Sequence, residues 1–187
     1  MSTQLIYLIL VLAALVLFAV YIAVAIKLFG VPESLSNTYY LYESKKKGLG
    51  WIFTIFMWLE ALLLIAPWVV LSDSFGPWES YLTFLAAFTC FGIAFVGTAP
   101  KFKEDGEAKV HVISAIVCSV SAMLWDFIPC WKIMYVPVIG ALVPIVAATL
   151  TKTWDKSKIF WLEMCAFVSS FATILTEQII QICQSTL

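Results

Sequence analysis

The chain has 187 residues, 63% of them hydrophobic and 12% charged, with a net charge of −1. Its mean hydropathy is +0.98, and a polar shell able to cover a soluble core cannot be built from what remains. Composition therefore points to an integral membrane protein. The near-neutral balance excludes a nucleic-acid partner, whose phosphates call for a basic surface.

Six apolar segments, at about 4–29, 50–71, 79–99, 110–130, 132–151 and 159–183, are long enough or nearly so to cross roughly 30 Å of hydrocarbon. Helices are expected throughout, because a segment in lipid must satisfy its own backbone hydrogen bonds, and strand alternation is missing. The expected fold is all-α: a polytopic six-transmembrane-helix bundle forming one domain over residues 1–187. The first run is too long for a signal-peptide core and lacks a basic stretch before it, so it reads as a retained span.

All eleven basic residues are lysines. Under a six-span topology Lys27, Lys45, Lys46, Lys47, Lys101, Lys103, Lys109, Lys152, Lys156 and Lys158 fall on one side and Lys132 alone on the other. The positive-inside rule then places the first, third and fifth connections in the cytoplasm. The expected location is a cytoplasmic (inner) membrane with both termini on the non-cytoplasmic side.

In the first connection, Ser36 is positioned to cap a short helix that ends at Lys45-Lys46-Lys47 before Gly48. Its tyrosines suit a helix lying on the headgroups. Trp51, Trp68, Trp78, Trp131, Trp154 and Trp161 lie near span ends, where indole rings anchor at the interface. Pro137 and Pro144 bracket Gly140 in the fifth span, a pattern of either a simple kink or an interrupted, ligand-binding helix.

Polar residues inside the apolar runs are the candidates for chemistry. On the fourth span His111, Ser114, Cys118 and Ala122 share one helix face, with Asp126 beside it. Ser114, Cys118 and Ala122 form a small-xxx-small seam suited to close helix packing, and Gly140 invites the same on span five. On the sixth span Glu163, Ser170, Thr173 and Glu177 recur on one face, which should look into the bundle. Glu60, near the middle of span two, is the costliest residue to insert. These acids have no basic partner inside the spans, so they should be protonated, bonded to hydroxyls, or bound to a cation.

Five cysteines are present, and only Cys130 and Cys183 should approach the outer surface, where a disulfide between them is conceivable. A lone histidine cannot build a zinc site, and no nucleophile elbow or paired Cys/His spacing occurs. No catalytic residue, metal or cofactor is assigned.

The six-span layout, the loop Pro32-Glu33-Ser34-Leu35-Ser36 after span one, and a histidine opening span four after a proline-containing loop (Pro100, then His111) resemble the Frag/DRAM/Sfk-like membrane proteins and related bacterial proteins. Leu35-Ser36-Asn37 stands where that family usually carries Ile-Ser-Asp. The resemblance implies a six-helix membrane fold and no defined activity. The expected function is a non-enzymatic binding or transport unit for a proton, small cation or lipid headgroup, with membrane lipids as partners. A structural or assembly subunit, joining copies of itself or other membrane proteins, is the alternative. A hydrolase pairing His111 with a carboxylate is the third reading.

Overall fold

The structure, a computed structural model, describes residues 3–77 and 79–186. It is all-helical, with seven α-helices and no strand among the described residues: α1 (Thr3–Phe29), α2 (Asn37–Lys45), α3 (Trp51–Asp73), α4 (Thr83–Thr98), α5 (Asp105–Phe127), α6 (Tyr135–Thr151) and α7 (Lys158–Thr186). Five segments, α1, α3, α4 with the turn before it, α5 and α7, are long and apolar enough to cross a membrane. The apolar helix α6 is shorter, at 17 residues.

Each long helix turns large apolar side chains outward, among them Val16, Leu62, Phe91, Ile113 and Leu162. In water that surface would aggregate; in lipid it is the expected exterior. The buried face of each helix points to a common core in which α1, α3, α4, α5 and α7 close a ring. α7 closes it, touching α1, α3 and α5, and it also carries α6 on its outer side.

Glycines set how closely neighbouring helices approach. A Cβ on Gly140 would come within 2.9 Å of the Ser169 Cα, so α6 and α7 meet backbone to backbone. At Gly92 a Cβ would lie 2.7 Å from the Cys118 Cβ, joining α4 to α5. Small residues at such crossings let van der Waals packing act where no hydrophobic drive exists. Ser169 Oγ also donates to the Pro137 carbonyl at 2.8 Å, fixing the start of α6. Of the two readings of the fifth span, the interrupted helix is not found: α6 runs continuously through Pro144, and Pro137 sits in its first turn, where a missing amide leaves no helical bond unmade.

One end of the bundle gathers the 30–50 connection, the α4–α5 loop and the α6–α7 loop. Lys103 N–H donates to the Tyr40 hydroxyl at 2.9 Å, Phe160 N–H to the Glu33 carbonyl at 3.1 Å, and Ser157 Oγ to the Val31 carbonyl at 3.3 Å. These connections and the adjoining helix ends carry every lysine except Lys132. At the opposite end Trp125 Nε1 donates to Ser72 Oγ at 2.6 Å, and Gln181 Nε2 donates to Ser74 Oγ.

Three expectations about the connections are overturned. Ser36 makes no side-chain cap; Ser34 Oγ instead accepts the Asn37 N–H at 3.1 Å, because Ser36 is itself in helical conformation. α2 does not lie on the surface, since Thr38, Tyr39 and Tyr42 are buried against the ring. The Tyr21 hydroxyl bonds Thr38 Oγ1, tying α2 to α1. Trp68 and Trp161 are buried rather than interfacial, while Trp51 and Trp131 are exposed; Trp78 lies outside the described residues.

A candidate ligand cavity inside the helix ring

A cavity of about 80 Å³ lies between α3, α4, α5 and α7. Met57, Leu64 and Trp68 form its α3 wall, and Thr89 and Ile93 its α4 wall. On α5, Cys118, Ser119 and Ala122 line it; on α7, Glu163, Phe167, Ser170 and Ile174 do. The space follows from side-chain size, because the α5 residues and Ala166 are small while the facing walls carry branched and aromatic groups. Most of its surface is apolar, with hydroxyls, a thiol and one carboxyl spaced along it.

Leu35 and Ser36 cover the lysine-rich end of the cavity. The Leu35 amide donates to Glu163 Oε2 at 2.6 Å, which satisfies a backbone donor that the turn leaves without a helical partner. With the Glu33 carbonyl bonded to α7 and the Val31 carbonyl to Ser157 just before it, residues 31–36 form a strap held at three points. The next turn is braced by Glu43. Its carboxylate accepts from Gly48 N–H at 2.9 Å and Gly50 N–H at 3.0 Å, and those bonds hold its pKa below the ordinary glutamate range.

At the far end, Ser170 Oγ donates to Asp126 Oδ2 at 2.9 Å, and Asp126 Oδ1 is buried without a partner. Trp68 and Trp125 pack edge to face at 5.3 Å, and the Trp68 Nε1–H is likewise buried without an acceptor. Glu60 is fully buried, and neither of its oxygens has a partner. Thr173 is buried and donates to the Ser169 carbonyl at 2.9 Å, and Glu177 is half-buried one turn farther on.

The sequence-derived residues therefore separate into groups. Glu163 and Ser170 share the cavity, and Asp126 joins it through Ser170. No hydrogen bond links Glu60, Asp126, Glu163 and Glu177 to one another among the described residues, so the single polar route along them is not formed as a chain of contacts. His111 is away from that route. Its Nδ1–H donates to the Ala99 carbonyl at 2.8 Å and its ring stacks near Phe102, so it closes the α4–α5 turn instead of pairing with a carboxylate. Ser114 faces an outer recess between α4 and α5 beside Phe91 and Phe95, whereas Cys118 meets Gly92 and Ala122 faces the cavity. Ser114 and Cys118 thus lie along the close α4–α5 crossing at Gly92, and the series passes into the cavity lining at Cys118 and Ala122. Cys130 is buried, Cys183 is exposed, and no disulfide joins them.

Residues that the sequence did not assign to the polar interior also build the site. Leu35 and Ser36 roof it, Glu43 braces the turn behind it, and the Ser72–Trp125 bond closes its far end. Gly92, where α4 meets Cys118 of α5, is a further one, readable as a small residue in an apolar span. Compared with protein-family profiles, curated proteins and solved structures, the chain finds no match.

Proposed function

We propose that the protein is a non-enzymatic, multi-pass membrane protein that binds a small amphiphile in the cavity between α3, α4, α5 and α7. The observation that carries this is an interior space with apolar walls and one carboxyl, Glu163, at its roofed end. Ligand sites have this make-up, with apolar area for affinity and a few polar groups for orientation. The six-crossing topology is part of the proposal. α6 is 17 residues long, about 25 Å of helix, and the 3-10 turn at Trp131–Ile133 extends it toward the bilayer thickness. Ten lysines at one end support a cytoplasmic placement of that end, with both termini opposite.

The test is to purify the protein in mild detergent and identify co-purifying small molecules by native mass spectrometry. An amphiphile should accompany the parent chain and be lost from Ile93→Trp, which fills the cavity. An identical complement on both proteins contradicts the reading.

A second reading, proton transfer, is favoured by the buried unpartnered oxygens of Glu60 and Asp126, which suit protonated acids or acids bridged by water. Proteoliposomes should then show a proton flux that Glu60→Gln abolishes. Equal flux from parent and variant removes it.

A further inference from the structure

The cavity has one open side. Its α3 and α4 walls are closed, with Met57, Leu64 and Ile93 no more than 3% exposed. Along the α5–α7 seam the lining is different: Ser119 is exposed, and Ala115, Cys118, Glu163 and Ala166 are only half-buried. Larger side chains would fill the space between two neighbouring helices; alanine and serine leave a gap.

The position of that gap decides what can use it. Ser119 lies fourteen residues beyond Asp105, roughly 21 Å along α5. The exposed side chains around it are Ile116, Val120 and Met123. The aperture therefore faces hydrocarbon. The strap at residues 31–36, bonded to α7 at two points and to Ser157 just before it, covers the lysine-rich end that would otherwise lead to water.

Size selects the occupant. A helix is about 10 Å across with its side chains and cannot enter a space of about 80 Å³, which rules out a span from a second copy or another protein. A single hydrocarbon chain, little wider than a water molecule, is thin enough to enter. From Glu163 to Ile174 the cavity follows eleven residues of α7, about 16 Å, so the space is long and thin. At its roofed end Glu163 Oε2 holds the Leu35 amide, and the second carboxyl oxygen is left to accept from a hydroxyl or ammonium donor.

We propose that one acyl chain of a membrane phospholipid enters sideways between α5 and α7, with its headgroup at the level of Glu163 and its methylenes running toward Ile174. This rests on the cavity being a ligand site and adds the ligand class and the route. The lipid belongs to the leaflet at the lysine-rich end, because Glu163 lies five residues inside α7 from Lys158.

The experiment reconstitutes the full chain into vesicles containing phosphatidylethanolamine with a diazirine midway along one acyl chain, followed by photolysis and peptide mapping. Adducts are expected on Met57, Phe167 or Phe171, and these should be lost in both Ser119→Trp and Ala166→Trp. Ser119 is exposed, so a bulky residue there blocks the gap without crowding the core. Leu142→Trp, on the outward face of α6, should keep the adducts. Adducts confined to outward residues such as Val117 and Ile139 overturn the sideways route, as do cavity adducts that persist in both blocked variants. If the native mass spectrum still shows an amphiphile that Ile93→Trp removes, the cavity reading survives that failure; if it does not, both fall.

Discussion

Replacing Gly140 by alanine sets two effects of opposite sign against each other. In an isolated helix the change gains about 1 kcal/mol, because alanine loses less backbone freedom. In this bundle the new methyl would lie 2.9 Å from the Ser169 Cα, 3.1 Å from the Val168 carbonyl oxygen and 3.2 Å from the Ser169 nitrogen. All three are backbone atoms and cannot swing aside. Relief to an ordinary separation requires α6 to retreat by roughly 0.6–1 Å. That movement stretches the Ser169–Pro137 bond of 2.8 Å and the 3.4 Å contact from Cys165 Sγ to the Ala141 carbonyl. Overpacking of this kind costs about 1–3 kcal/mol, and an interhelical bond in a membrane protein adds about 0.6 kcal/mol. The sum outweighs the propensity gain, and Gly140→Ala should be less stable by about 0.6–2.6 kcal/mol. Gly106→Ala is the control, since no atom lies within 4 Å of the added methyl. Thermal unfolding in one detergent should place Gly140→Ala several degrees below the parent and Gly106→Ala at or above it. A Gly140→Ala protein that melts with or above the parent would refute the close crossing of α6 and α7.

Glu60→Met should stabilise the protein by about 1–3 kcal/mol, because it removes a buried carboxyl whose oxygens have no partner; chemical denaturation measures the gain, and a loss would mean the carboxyl has a partner. Trp125→Phe and Ser72→Ala, combined in a double-mutant cycle, should show a coupling of about 0.5–1.5 kcal/mol for the 2.6 Å bond between them. Near-zero coupling would argue that the far end is open. Because bonds from Gly48 and Gly50 depress the Glu43 pKa, its contribution is complete at neutral pH and is lost as pH falls through and below the ordinary glutamate range. Parent and Glu43→Gln melting points should therefore differ at pH 7 and converge in acid; a gap that widens as pH falls contradicts that sign.

The helical architecture and its five long apolar members are legible from run length alone, and the sorting of lysines to one end follows from where those runs stop. The interior is less legible because it depends on contacts distant in sequence. Glu163 meets the Leu35 amide across 128 positions, which no local pattern announces. Tyr39 and Tyr42 are amphipathic, so interfacial and buried placements look alike until α1 and α3 are packed around them. The same ambiguity misplaces Trp68, whose ring could serve as a headgroup anchor but instead meets Trp125. Helical spacing correctly puts Glu163 and Ser170 on one side of α7. It could not show that Glu60 and His111 would have separate surroundings.

Intermolecular nuclear Overhauser effects to the methyl groups of Leu64, Ile93 and Ile174, recorded on protein in lipid nanodiscs, would show whether lipid occupies the cavity. All three line the cavity and are nearly inaccessible from outside. Cross-peaks are expected from these methyls to lipid methylene protons, weakened in Ser119→Trp, while outward Ile139 keeps its own. Cross-peaks from the three methyls to water alone, with Ile139 still in contact with lipid, would contradict that occupancy.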